Sequence, residues 1–333
     1  MNREKKSLPL IFHPTNYIFV DDDTSLLDAV AMNMDTNIPY VLEHQGPEAL
    51  DYILAHTYPK TATSSIITEN EDFFSYDSTK ESFNVDFGEL LKDLDKPDRF
   101  KKIVVAVIDR VMPDIDGLEL CRKLRKTDGC IKLLLLTGNT QSSEAVEAFN
   151  DGIIDRFMTK DQTATSDKLM RAVKELAYEA FQELSAELCS ILHKNTAILS
   201  NERFQQEFNK VVNEKAIVEY YLVDSRGSYF MADRLGKTYM FLVRTEEDFQ
   251  EFFEMASNSG APKHVLQAIR DRQQMPYTGM NKSHLKLEGD VWEECMVPAR
   301  KVPGQEIFYA MIETPDKTVF SLRDYLGQVW PQP

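Results

Sequence analysis

Ile103-Val-Val-Ala-Val-Ile-Asp-Arg-Val-Met-Pro-Asp-Ile-Asp-Gly117 joins six apolar residues, all but one β-branched, to a polar turn. Such a run needs apolar cover on both faces, as a central parallel strand has. Strand-like runs flank it at Tyr17–Val20, Pro39–Glu43, Lys132–Leu136 and Arg156–Thr159. Helix-period stretches lie between them at Leu26–Met34, Pro47–Ala55, Leu118–Arg125 and Ser143–Phe149, with Pro47 placed for a first turn. Alternation of this kind predicts an α/β, doubly wound domain on a parallel five-stranded sheet.

Ligands of such sheets gather at the carboxyl ends of the strands. Asp21, Asp22 and Asp23 end the first strand, Asp109 the third, Thr137 the fourth and Lys160 the fifth. With strands one and three as neighbours, several carboxylates converge and repel, which a cation among them relieves. Oxygen ligands with water suit Mg²⁺. A carboxylate beside Mg²⁺ and an ammonium is a plausible nucleophile toward phosphorus.

Val20-Asp-Asp-Asp23, Ile108-Asp-Arg-Val-Met-Pro-Asp-Ile-Asp-Gly117, Leu136-Thr-Gly138 and Phe157-Met-Thr-Lys160 together resemble the receiver domain of two-component response regulators. The resemblance covers about residues 15–165 and implies a CheY-like, flavodoxin-like fold with strand order 2-1-3-4-5. It further implies that Asp109 accepts a phosphoryl group from a sensor histidine kinase. Asp22 would bind Mg²⁺ directly and Asp21 through water, with Asp109 and the backbone carbonyl of Val111 as further ligands. Thr137 and Lys160 would contact the phosphoryl oxygens, and Thr137 with Phe157 would form the switch. Gly117 would serve the turn after the acceptor by tolerating positive φ. Two positions depart from the family pattern. Asp161 stands where proline is usual, and Gly138 replaces alanine, which leaves the acyl phosphate more open to water.

Residues 56–101 break the rhythm. About 45 residues separate the second helix from the third strand, where 2–6 are usual. Ser, Thr, Asp and Asn dominate until Phe87, Leu90, Leu91 and Leu94 resume a helical period. This predicts an insertion of a loop and one short helix, at the sheet end opposite the acidic site.

Ser166 to His193 contains no Gly or Pro and reads as one helix, with the 166–194 stretch as connector. Leu169, Val173, Leu176, Ala180, Leu184, Leu188 and Ile191 form an apolar seam that predicts a homodimer contact. Residues 195–333 read as an α+β output domain: a helix at Asn201–Asn213 and strands at Val218–Asp224, Ser228–Ala232 and Lys237–Arg244. Helices at Glu246–Ala256 and Pro262–Arg272 follow, then strands near Val291–Pro298 and Ile307–Ile312.

No helix-turn-helix, cyclic-dinucleotide enzyme signature or phosphate loop occurs in this half. The output is therefore expected to act on a downstream protein and not as an enzyme. The layout also resembles quorum-sensing response regulators without a DNA-binding output. Competing readings are a constitutive docking scaffold with an idle receiver, and an output domain that binds a small ligand such as a nucleotide.

Composition bounds the partners. Of 333 residues, 54 are acidic and 38 basic, a net charge of −16 that repels nucleic-acid backbones. No apolar run is long enough for a membrane span, and the basic start is too short for a secretory signal, so a cytoplasmic protein is expected. The four cysteines, Cys121, Cys130, Cys189 and Cys295, have no metal-ligand spacing and read as reduced thiols. The six histidines are too dispersed for a metal site.

Overall fold

The computed structural model describes residues 7–35, 37–62, 66–69, 83–138, 143–160, 166–191, 197–277, 287–315 and 319–329. The chain divides into two compact units, the larger from residues 9–191 and 319–333, the smaller from residues 1–8 and 192–318.

In the larger unit, β1 (Asn16–Val20), β2 (Tyr40–Glu43), β3 (Ile103–Asp109), β4 (Lys132–Thr137) and β5 (Arg156–Thr159) are all parallel. Their order is β2-β1-β3-β4-β5, as the resemblance implied. β3 is buried at every position, the consequence of its near-continuous β-branched sequence. Helices α1 (Thr24–Asn33), α2 (Gly46–His56), α3 (Gly117–Arg125), α4 (Ser143–Asn150) and α5 (Ser166–Ile191) cover the sheet. Ile18, Val20, Ala106, Ile108, Leu133 and Leu135 share one core with Ala49, Ile53, Leu120, Leu124, Ala145 and Ala148 of α2, α3 and α4. The alternate strand residues Phe19, Val105, Val107 and Leu134 are buried too, on the face that α5 covers.

The insertion holds more structure than its composition suggests. Ile67–Glu69 pairs antiparallel with Phe83–Val85, a 3₁₀ turn follows at Phe87–Leu91, and a short helix spans Asp98–Lys101. Arg99 and Phe100 of that helix are buried. The Arg99 guanidinium donates to the carbonyls of Asp93, Lys96 and Phe320 and stacks 4.1 Å from the Phe100 ring centre.

The seam on α5 is filled from within this unit. Leu169, Val173, Leu176, Ala180, Leu184 and Leu188 are all buried; Ile191 and His193 fall outside what can be described at side-chain level. Phe12 and His13 pack edge-on against Phe181, Leu10 N–H donates to Ser185 Oγ, and Cys130 Sγ contacts the Ala180 carbonyl. The stripe that called for a second chain is thus occupied by residues 10–13 and the sheet, because α5 stays on the larger unit well past Leu176.

The C-terminus corrects the boundary drawn at 195–333. Residues 319–333 belong to the larger unit, and residues 1–8 to the smaller. Tyr325 lies 5.3 Å from Phe100, centre to centre, and its hydroxyl accepts from Asn16 Nδ2.

In the smaller unit, α6 (Glu202–Glu214) precedes the antiparallel strands β6 (Ile217–Leu222), β7 (Tyr229–Asp233) and β8 (Thr238–Thr245). Next come α7 (Glu246–Asn258), α8 (Lys263–Arg270), an edge pair at Arg300–Lys301 and β9 (Ile307–Glu313). The strands run β6-β7-β8-β9. Phe204 and Phe208 of α6 meet Tyr229 and Phe241 on one face. Phe249, Val265, Ile269 and Trp292 fill the other. The strand expected over Val291–Pro298 is a short helix, Val291–Cys295, followed by a strand, Met296–Pro298. Trp292 and Cys295 sit one helical turn apart and are both buried, a demand that period-two alternation does not meet. A final helix, α9 (Leu322–Val329), returns to the larger unit.

Candidate functional site

β1 and β3 pair directly, with Val20 opposite Ile108, so Asp21 and Asp109 leave the sheet side by side. β4 and β5 follow in order, with Thr137 opposite Thr159 and Lys160 the next residue. The carboxyl edge therefore collects Asp21, Asp109, Thr137 and Lys160 from four different stretches of chain.

Asp21, Asp109 and Thr137 are at most 3 % exposed. Lys160 Nζ lies 2.8 Å from Asp21 Oδ2 and 2.9 Å from Asp109 Oδ1, bridging the two carboxylates. Asp109 Oδ2 accepts from the Val111 amide at 3.3 Å, and Asp21 Oδ1 from the Asp23 amide at 3.0 Å. Asp23 also caps α1 by accepting from Ser25 and Leu26. Asp22 is exposed and completes a cluster in which Asp21, Asp22 and Asp109 each offer an oxygen within 4.8 Å of the others.

Burial pushes the Asp109 carboxyl above its ordinary value; Lys160 opposes this and the Asp21 charge adds to it. Burial alone would lower Lys160, but its hydrogen bonds to Asp21 and Asp109 outweigh that and hold the ammonium above its usual range. One cation against three carboxylates leaves a net negative site. The Lys160 ion pair aside, Asp21 Oδ2 is shut from solvent without a hydrogen bond. Hard oxygens with spare negative charge fit a divalent cation such as Mg²⁺.

The turn after the acceptor is built by close approach. A Cβ on Gly117 would lie 1.9 Å from the Asp109 carbonyl oxygen. Gly117 is not among the positive-φ glycines, so the left-handed backbone expected there is replaced by a steric demand. Gly138 has open space where a Cβ would stand. Phe157 is half-buried and meets the half-exposed Phe149 of α4 edge-on, 6.3 Å between centres. Asp161 lies outside the described residues.

Two residues of this region escaped the sequence reading. Asp114 Oδ2 accepts from the Gly46 amide at 2.8 Å and so fixes the start of α2. Arg110 bridges Asp116 and Glu144. No spacing rule signals either, since the partners are the first residue of α2, 68 residues earlier, and a helix 34 residues onward.

Residues 79–174 match the response regulator receiver domain. That span contains Asp109, Thr137 and Lys160 but begins after Asp21 and Asp22, which the insertion separates from the rest. The transcriptional regulatory protein SpaR of Bacillus subtilis is 25% identical over 167 residues, 49% of this chain and 67% of that protein. The response regulator MprA of Mycobacterium bovis is 25% identical over 214 residues, 63% of this chain and 72% of its own. The structure of the Legionella pneumophila response regulator LqsR aligns over 98% of both chains, with a TM-score of 0.79 and 25% identity. LqsR thus shares both units, where the family match stops at residue 174. With the strand order, the acidic cluster and the Lys160 bridge all in place, the larger unit of this chain is similar in fold and in site residues to the receiver domain of CheY-like response regulators.

Proposed function

We propose that Asp109 is the phosphoacceptor of a phosphorelay and that a sensor histidine kinase is its donor. The observation that carries this reading is the Lys160 ammonium held between Asp21 and Asp109 in a buried acidic cluster. An oxygen of the Asp109 carboxylate attacks the phosphorus of the donor phosphohistidine. The P–O bond forms as the P–N bond breaks, and the imidazole nitrogen keeps the electron pair. Lys160 turns from the carboxylate to a phosphoryl oxygen, and the Thr137 hydroxyl donates to another. Asp21, Asp22, Asp109 and the Val111 carbonyl would hold Mg²⁺, which neutralises phosphoryl charge when bound. Movement of Thr137 frees space for Phe157 to turn inward, a local charge event that tips a two-position element.

The change is relayed to the smaller unit, which acts on a downstream protein and performs no chemistry of its own. The likeness to the response regulator LqsR along both units supports a signalling role for the whole chain, and the layout's resemblance to quorum-sensing regulators without a DNA-binding output supports quorum sensing as its setting.

The test is uptake of labelled phosphate from acetyl phosphate, or of beryllofluoride, in Mg²⁺. Wild type should load and Asp109→Asn, nearly isosteric, should not while keeping its fold. Label retained on the Asn variant would refute the acceptor assignment. A wild type that binds Mg²⁺ but never loads would favour the idle scaffold.

A further inference from the structure

We propose that Arg110 is the positioning residue through which the state of Asp109 reaches α4. The proposal rests on the phosphoacceptor reading and adds the route by which it is heard.

Arg110 directly follows Asp109, and its main chain is held at both ends. Its N–H donates to the Leu136 carbonyl, the residue before Thr137, at 2.9 Å. Its own carbonyl accepts from Gly117, the first residue of α3, at 3.0 Å. The guanidinium then forks. One nitrogen pairs with Asp116, whose other oxygen caps α3 by accepting from Leu118 and Glu119. The second, Nη2, pairs with Glu144 in the first turn of α4, at 2.5 Å. One residue therefore touches the ends of β3 and β4 and the starts of α3 and α4.

Asp116 and Gly117 lie in the turn that Asp109 itself begins, so the α3 end of the fork moves with the acceptor. Glu144 does not share that turn. It lies beyond Thr137, the residue proposed to move toward the phosphoryl group. A planar guanidinium with two parallel donors tolerates little sliding before a hydrogen bond breaks. A shift of Thr137 relative to Asp109 must therefore stretch or carry the Arg110–Glu144 bond, and α4 with it. The Glu144 side chain is 63% exposed and Arg110 20%, so the link lies at the surface and is not a core strut.

Hydrogen exchange of residues 143–150, with and without beryllofluoride in Mg²⁺, tests this on the full chain. Loading is followed separately by the fluorine signal of the bound analogue. Wild type should load and change its exchange in α4. Arg110→Met and Glu144→Gln should load equally, yet their change in α4 should shrink by roughly twofold or more, the ratio an interaction of about 0.5 kcal/mol carries. Arg110→Met with Glu144→Gln together should do no more to α4 than Arg110→Met alone, because both break the same Arg110–Glu144 ion pair. Glu144→Gln sits on the surface and keeps Arg110 and Asp116 intact, so it serves if Arg110→Met folds poorly. An α4 response unchanged in either variant, additive losses in the pair, or a wild type that loads without any change in α4 would each overturn the role of Arg110 alone. A wild type that does not load would overturn the phosphoacceptor reading and this proposal with it.

Discussion

Ala216 ends α6 with φ of 50°, a left-handed backbone that costs an ordinary residue about 1–2 kcal/mol. Glycine adopts it without a Cβ penalty but gives up more entropy on folding. Ala216→Gly should therefore raise the stability of the smaller unit by about 0.5–1 kcal/mol, read from the denaturant midpoint with unchanged slope. His13 is buried, with Nδ1 2.9 Å from the Pro14 carbonyl and Nε2 2.9 Å from the Tyr58 hydroxyl. A neutral ring fits when Nδ1–H donates to the carbonyl and Nε2 accepts from the tyrosine. Burial lowers its pKa to about 3, with the Arg99 and Lys102 charges helping and the Pro14 bond opposing. The unfolded chain binds this proton near pH 6.5 and the folded chain only near 3, so stability falls as pH drops through that window. The slope should be about 1.4 kcal/mol per pH unit. Denaturation at several pH values between 7 and 4 should show a steeper decline for wild type than for His13→Gln. Equal slopes would place the proton elsewhere.

At the scale of elements, α5 and α9 hold the receiver from outside its five-strand core. Leu184 is 2% exposed within α5, so Leu184→Glu should bury an unpaired carboxylate and cost several kcal/mol. The measurement is the melting temperature alongside light scattering; a fall in mass without a fall in melting temperature would restore the symmetric helix contact. Tyr325→Ala should remove the ring on Phe100 and leave Asn16 Nδ2 without that partner, a loss of about 3 kcal/mol. The β3 run was legible because five β-branched residues in six admit one environment. The α5 seam was equally legible as apolar, but its partner was not. Phe12 and His13 sit more than 150 residues earlier in an unremarkable stretch, and periodicity names a face without naming what covers it. The Val291–Cys295 helix was missed for a related reason: at five residues it shows no full period.

For the whole molecule, the division into residues 9–191 with 319–333, and 1–8 with 192–318, means that neither half of the sequence is a unit. A fragment of residues 15–165 carries every proposed site residue but lacks α5, the 10–13 cover and α9. It should show no cooperative unfolding transition by circular dichroism, whereas the full chain should. A sharp transition in the fragment would show that the outer elements are dispensable. The site itself was legible because its residues follow strand ends in a fixed order. Arg110 and Asp114 were not, because their partners are chosen by three-dimensional neighbourhood.

The buried Arg99 guanidinium has a consequence for the living ribosome. One of its carbonyl partners, Phe320, is translated 221 residues later and after the whole of the smaller unit's last strand. Synthesis therefore delivers every strand of the smaller unit before the receiver receives its final piece.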